Sequence, residues 1–315
     1  MKNLISTRKM SHEKWLEYRK KGIGGSDAGA ICGLNPYVSP VTVWADKKSK
    51  IPPKPDNEAM RQGRDFEDIV AKRFCEETGK KVRRCNYIIQ HDKHPFMLAN
   101  VDRLVVGESA GLECKTCSAY SADQWKDGKV PAHYEAQCLH YMSVTGLDHW
   151  YIACLILGAG GGLVWKRIDR DDDAIKFLES IEERFWNSYI IGDDIPDPDG
   201  SDAYSDMLKQ FYPKSREDIE TVELYGYDEK LDRIMEINEL VKKLNTEKEQ
   251  IEQDIKLYMK DAERAESNHY RVTWKTTTSN RLDSKKLKKE LPAIYEGYLN
   301  KAESRRFLIK NLQEE

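Results

Sequence analysis

The sequence predicts a mixed α/β fold, a sheet flanked by helices, followed by a mainly helical extension. Three observations predict it. Five strand-like runs lie between residues 86 and 168, interrupted by one helical stretch. Stretches with apolar residues at three- and four-residue steps lie on either side of them. After residue 191 the composition changes, first to an acidic loop and then to a heptad pattern. With 39% hydrophobic residues in a chain of 315, a sizeable core can form, and 33% charged residues solvate the surface. The order helices, three strands, helix, two strands, helix is a mixed layer arrangement.

Each element has a local reason. Ser11 to Lys20 reads as a short helix. Residues 19–29, RKKGIGGSDAG, make a glycine-rich turn after three cations, and Ser26 is a suitable cap for a helix from Asp27 to Ile31. Pro36 and Pro40 punctuate the next stretch, with Ser39 capping a helix that runs through Trp44. A loop rich in Pro and Lys, IPPKPDN, covers 51–57, and a helix from Glu58 to Thr78 stops before Gly79. NYIIQ, FMLANVDRLVV and GLECKTC read as strands. A helix from Ala132 to Thr145 leads into strands YIACLIL and LVWKRI, and a helix from Asp172 to Ile191 closes this part. Residues 192–202, GDDIPDPDGSD, form a linker or acidic loop, so the expected domains are 1–200 and 201–315. In the extension Ile234, Ile237, Val241, Leu244, Lys248, Ile251, Ile255 and Tyr258 form one stripe. It suits packing on its own domain, on another copy or on a different protein, the first being the plainest. HYRVTWKT is strand-like, and a basic helical tail follows.

A net charge of −3 does not mark a nucleic-acid binder, but the charge is uneven. Residues 1–50 carry ten Lys/Arg against four Asp/Glu, residues 191–220 three against nine, and residues 281–310 nine against four. Basic segments separated by an acidic one allow a local polyanion site on an acidic protein. The seven cysteines are odd in number, and MKNLISTRKM has no apolar core of signal-peptide length. No run approaches a membrane span. The expected setting is reduced and cytoplasmic, in a bacterial or phage-infected cell. Cys114 and Cys117 make one CxxC without the second pair or His ligands of a structural zinc site, so Cys114 is read as a core residue.

Several residues stand out against the periodicity. The glycine turn fails as a dinucleotide fingerprint, because its third position is Asp27 and a helix precedes it. It fails as a P-loop because no G-K-[S/T] occurs. Free backbone N–H groups beside Arg19, Lys20 and Lys21 suit a phosphate oxygen; an ordinary turn is the plain alternative. On the 58–78 helix, Glu67 shares a face with Met60, Gly63, Val70 and Phe74. A carboxylate there needs a positive partner, either a cationic side chain or a metal ion. In GLECKT, Glu113 and Lys115 point to the side opposite Leu112, Cys114 and Thr116. A hairpin through VVGESAG would bring Asp102 beside Glu113. Two converging carboxylates repel unless a cation lies between them, and their oxygens suit Mg²⁺ or Mn²⁺. An adjacent lysine that orients water completes an outline of metal-assisted phosphodiester hydrolysis. Gln137 lies on the apolar face of its helix with Tyr134, Cys138 and Tyr141.

The order Gly63-x-x-x-Glu67, Asp102, Glu113-x-Lys115, Gln137-x-x-x-Tyr141 resembles the PD-(D/E)xK nuclease superfamily and its RecB-like branch. Arg19 with GIGGSDAGAICGLNPY is similar to the N-terminal signature of the YqaJ viral recombinase family, relatives of phage lambda exonuclease. The likeness covers about 11–191, and VTWKT, RLD-x-K-x-L-K, AIYEGY and SRRF are similar to the tails of longer phage members. Val101 stands where the superfamily's name has proline. The resemblance implies a restriction-endonuclease-like core. It implies Asp102, Glu113 and the Cys114 carbonyl as ligands of Mg²⁺ (Mn²⁺ as a substitute), with Glu67 reaching the metal directly or through water. Lys115 would position the attacking water, and Gln137 would contact that water or the scissile strand. Arg19, Ser26, Gly25 and Tyr141 would contact DNA, with Arg19 and Ser26 on a 5′-terminal phosphate. The implied activity is 5′-to-3′ digestion of one strand of linear duplex DNA, leaving 3′ single strands for an annealing protein. By analogy the assembly is a homotrimer, with no membrane partner. The rivals are a structure- or site-specific endonuclease, an iron–sulfur variant, and a non-catalytic DNA-binding or scaffold protein.

Overall fold

The computed structural model describes residues 2–51, 57–158, 160–216, 218–219, 221–300 and 303–310, so most of the predicted 51–57 loop lies outside the described residues. The chain divides into two compact units, Met1–Phe211 and Tyr212–Glu315.

The first unit begins with β1 (Lys2–Ser6), α1 (His12–Lys20), β2 (Ile23–Gly24), α2 (Gly25–Ile31), α3 (Pro40–Lys47) and α4 (Glu58–Thr78). Then come β3 (Val82–Arg84), β4 (Tyr87–Gln90), β5 (Met97–Asn100), β6 (Arg103–Val105) and β7 (Ala110–Ser118). A run of 3-10 turns, Ala119–Gly128, leads to α5 (Ala132–Thr145), β8 (His149–Leu157) and β9 (Leu163–Asp169). The unit ends with α6 (Asp172–Phe185), a π-helical turn (Trp186–Ile191) and α7 (Asp202–Phe211). Helix ends follow the expected chemistry. Ser11 Oγ accepts from the Lys14 N–H, Asn57 accepts from the Met60 N–H, and Gly79 adopts φ 69° beyond α4.

The main sheet has the order β3-β6-β7-β8-β9, with β7 and β8 parallel and the other pairs antiparallel. A parallel pair needs a long crossover, and the 3-10 turns with α5 supply it. A second sheet has the order β1-β4-β5-β2. β8 lies between β7 and β9, and its continuous apolar run is buried on both faces. Trp150, Ile152 and Cys154 pack with Cys138 and Met142 of α5, while Tyr151, Ala153 and Leu155 pack with Val70 and Phe74 of α4. The site residues therefore arise from a sheet clamped between two helices, the arrangement expected of the α/β core.

Several expectations need correction. FMLANVDRLVV is not one strand: it breaks at Val101–Asp102, and β5 joins one sheet while β6 joins the other. The cap of α2 is Gly24, not Ser26, because the Asp27 carboxylate accepts the Gly24 N–H at 2.9 Å and draws the helix start back to Gly25. The helix from Asp172 stays α-helical only to Phe185. Strands β2 and β3 are too short to read from alternation, and the β1 segment KNLIS does not alternate.

The second unit holds α8 (Asp228–Met259), the hairpin β10 (Arg264–Glu266) with β11 (Arg271–Thr273), α9 (Ser284–Glu290) and α10 (Pro292–Gly297). The stripe lies on α8, where Val241, Leu244 and Ile251 are exposed.

Candidate active site

The break between β5 and β6 positions the first carboxylate. Asn100 ends β5; its Oδ1 accepts from Trp15 Nε1 at 3.1 Å and its carbonyl from the Tyr141 hydroxyl at 3.0 Å. Asp102 follows at the head of β6. The antiparallel register puts Arg103 opposite Leu112, so the next step puts Asp102 opposite Glu113. The Cys114 N–H donates to Asp102 Oδ2 at 2.9 Å. The expected hairpin thus forms, and the two carboxylates meet at its end.

Glu113 is buried, and its two oxygens differ. Oε1 accepts from Lys115 Nζ at 2.6 Å and from Gln137 Nε2 at 2.7 Å. Oε2 is the single buried side-chain oxygen without a hydrogen-bond partner among the described residues. Lys115 also donates to Gln137 Oε1 at 3.1 Å, and Gln137 Nε2 donates to the Tyr141 hydroxyl at 2.9 Å. Burial and the charges of Glu113 and Glu67 push the Asp102 carboxyl well above its usual range, against Lys115 and the Cys114 N–H. Burial opposes charge on Lys115, but Glu113, Tyr134 and Asp102 outweigh it and raise its pKa. Lys115 is therefore a fixed ammonium, suited to orienting and stabilising charge and not to accepting a proton.

Glu67 meets a side chain. Arg103 Nη1 of β6 pairs with Glu67 and also donates to the Asp102 carbonyl at 2.7 Å, while Nη2 pairs with Asp68. The cationic side chain meets this carboxylate. The buried guanidinium thus holds Glu67 beside the head of β6, near enough for its charge to act on the Asp102 carboxyl. The signal was in the sequence, since Arg103 is the one cation in the apolar run FMLANVDRLVV.

The glycine turn closes against the same network. Arg19 Nη2 donates to Ser26 Oγ at 2.8 Å and lies 3.4 Å from Asp27 Oδ1. Lys47 Nζ, buried, binds Asp27 Oδ2 at 2.6 Å and the Arg19 carbonyl at 2.8 Å. Burial raises the Asp27 carboxyl pKa, but Lys47 and Arg19 outweigh it and hold the group below its usual range. Gly25 is buried with no room for a side chain: a Cβ there would lie 2.5 Å from Tyr141 Cε1 and 3.1 Å from Gln137 Cγ. Tyr141 is likewise buried, its hydroxyl engaged by Gln137 and the Asn100 carbonyl. Gly25 and Tyr141 therefore join the turn to the carboxylate network, whereas Arg19 and Ser26 are the members accessible to a ligand. The Asp27–Lys47 pair went unread in the sequence, because nothing in residue spacing links α2 to α3.

The donors fit a hard divalent cation. Asp102 and the orphaned Glu113 Oε2 offer oxygen at one point, with the Cys114 peptide between them. Mg²⁺ characteristically takes one or two carboxylates and keeps several waters. A ready-made cluster of three His, Cys, Asp or Glu side chains does not occur among the described residues. The cysteines are free thiols, and burial raises the Cys114 pKa.

The model of the YqaJ-like viral recombinase domain matches residues 14–148, which contain both the glycine turn and the carboxylate network. The chain is 40% identical over 311 residues to uncharacterized protein YqaJ of Bacillus subtilis (strain 168), covering 98% of this chain and 97% of that one. The chain belongs to the YqaJ family. Among solved structures, it is similar to the alkaline exonuclease LHK-Exo of Laribacter hongkongensis, with a TM-score of 0.48 and 20% identity over 57% of this chain and 93% of that one. It is also similar to a phage related exonuclease of Haemophilus somnus 129PT, with a TM-score of 0.40 and 13% identity over 56% of this chain and 98% of the other. The YqaJ relative extends the family likeness through the second unit, beyond the matched domain. Among the described residues no helix is long and apolar enough to cross a membrane.

Proposed function

We propose that this YqaJ-family chain is a divalent-metal-dependent exonuclease that digests one strand of linear duplex DNA from 5′ ends. The supporting observation is the convergence of Asp102 and Glu113 beside Lys115, with one buried Glu113 oxygen left unpartnered. Asp102, Glu113 and the Cys114 carbonyl would hold Mg²⁺, with Mn²⁺ as a substitute. When bound, the ion supplies Lewis-acid polarisation of a phosphoryl oxygen and a water of lowered pKa. Lys115 orients the attacking water and offsets charge gathering on the phosphate. Gln137 fixes Lys115 against Glu113 by bonding both. Arg103 holds Glu67 and Asp68, and so docks α4 against the head of β6. Arg19 and Ser26 grip the 5′-terminal phosphate. The first unit is the nuclease domain, with α7 part of it, and the second is an extension. The product strands serve an annealing protein, and the assembly is a trimer.

The test is digestion of linear duplex with 5′-phosphate or 5′-hydroxyl ends, with covalently closed circles alongside. Linear duplex should be consumed only with added divalent cation, faster from phosphorylated ends, and circles should survive. Nicking of closed circles favours the endonuclease instead. Lys115→Ala should abolish cleavage and leave duplex binding largely intact; full activity in that variant removes Lys115 from the mechanism.

A further inference from the structure

We propose that Tyr134 is a positioning residue for Lys115, its ring face holding the ammonium in line with Glu113 and Gln137. The inference rests on the hydrolytic reading of Lys115 given above. Lys115 Nζ lies 4.5 Å from the centroid of the Tyr134 ring, well inside the distance at which a ring quadrupole attracts a cation. An ammonium has three donors. Glu113 Oε1 takes one at 2.6 Å and Gln137 Oε1 another at 3.1 Å. The ring lies against what remains of the charge.

The chemistry of that third neighbour is what matters. A carboxylate in the place of the ring would tie up the third N–H in a full charge-assisted hydrogen bond. A ring face attracts the charge without taking a full hydrogen bond, so a water or phosphoryl oxygen can displace it. A lysine side chain is a flexible stem with large rotamer entropy, and the ring confines it to the side of the carboxylates. The ring is itself fixed. Tyr134 lies three residues before Gln137 on the same face of α5. Its ring is 5.8 Å from that of buried Trp125 at a tilt of 30°, and 4.0 Å from that of His133. Trp125 belongs to the 3-10 turns that leave β7, the strand carrying Lys115. Lys115 is thus held from α5 by both Gln137 and a ring that Trp125 steadies.

The experiment replaces Tyr134 with phenylalanine and with mono-, di- and trifluorophenylalanine, in the full chain. Fluorine drains the ring quadrupole at nearly constant volume, so a packing role predicts a flat series. Single-turnover cleavage of 5′-phosphorylated linear duplex with Mg²⁺ is measured alongside duplex affinity without metal. Phenylalanine should retain the rate within about twofold, and each fluorine should lower it, to roughly tenfold in total. Duplex affinity should not move. A flat series, or a loss with phenylalanine that only tyrosine restores, overturns the proposal. Carbon-13-labelled lysine supplies a readout independent of activity. The ε-methylene protons of Lys115 should be shifted upfield by the ring, and Tyr134→Leu should abolish the shift. Absence of that shift in the wild type overturns the contact itself. Wild-type protein that shows the shift yet cleaves nothing refutes the nuclease reading, and the positioning role falls with it.

Discussion

Gly25→Ala tests whether the glycine turn and the carboxylate network form one device. The added methyl would lie 2.5 Å from Tyr141 Cε1, 2.8 Å from its Cζ and 3.1 Å from Gln137 Cγ. Carbon atoms in contact prefer about 3.5–4.0 Å, so the turn and α5 must separate by roughly 1 Å. Overpacking of this kind costs about 1–3 kcal/mol. In a unit of this size each kcal/mol lowers Tm by roughly 2–4 °C. The catalytic cost is larger, because the displaced groups are bonded onward: the Tyr141 hydroxyl to Gln137, and Gln137 to both Glu113 and Lys115. A misplacement of about 1 Å is worth about 10²-fold in rate. The assay pairs thermal unfolding with metal-dependent digestion of phosphorylated linear duplex. The variant should melt several degrees lower and cleave about 10²-fold more slowly. Wild-type Tm together with wild-type turnover would refute the contact.

Gly63 provides the contrast. A Cβ there meets nothing within 4 Å, and the position lies inside α4. Gly63→Ala should therefore stabilise by about 0.5–1 kcal/mol, read as a raised Tm; a lowered Tm would show that the space is occupied. Asp102 supplies a pH dependence. Its folded pKa is raised, so its contribution to stability is fully present below the unfolded value of about 3.9 and is lost as pH rises through the folded one. Asp102→Asn should thus raise the Tm of metal-free protein at pH 8, with the gain shrinking toward pH 4; thermal scans in EDTA decide, and a Tm lowered at pH 8 contradicts the account. Asp27 has the opposite sign. Its pKa is depressed, so its contribution holds above about 3.9 and is lost as pH falls through the folded value. Lys47→Met leaves Asp27 buried and poorly paired, and should cost about 3–5 kcal/mol at pH 7. Urea melts should find most of that difference gone once Asp27 is protonated; an equal loss at both pH values would point to packing instead.

The elements that carry the site were legible because each has a local cause. The helix Glu58–Thr78 shows its stripe and its Gly79 stop, and α5 shows its apolar face with Gln137 on it. Glu113 and Lys115 alternate onto one side of β7 as the period of two requires. The turn between β6 and β7 is short enough for a hairpin to be inferred, so the meeting of Asp102 with Glu113 was foreseeable. The break between β5 and β6 was not. Asn100, Asp102 and Arg103 interrupt the apolar run without fixing which sheet each half joins, and the break is held by Trp15 and Tyr141, 85 and 41 residues away from Asn100.

Taken alone, the amino-acid order determined which residue types face the sheet and which chemistry they support, since periodicity and turn chemistry act over a few residues. Only the tertiary structure decided their partners. Arg103 holds Glu67 across 36 residues of chain, Lys47 holds Asp27 across 20, and Tyr141 comes to rest against Gly25. Such contacts depend on how α2, α4 and α5 pack around the strands, and packing is settled by volume and charge among groups that no spacing rule connects.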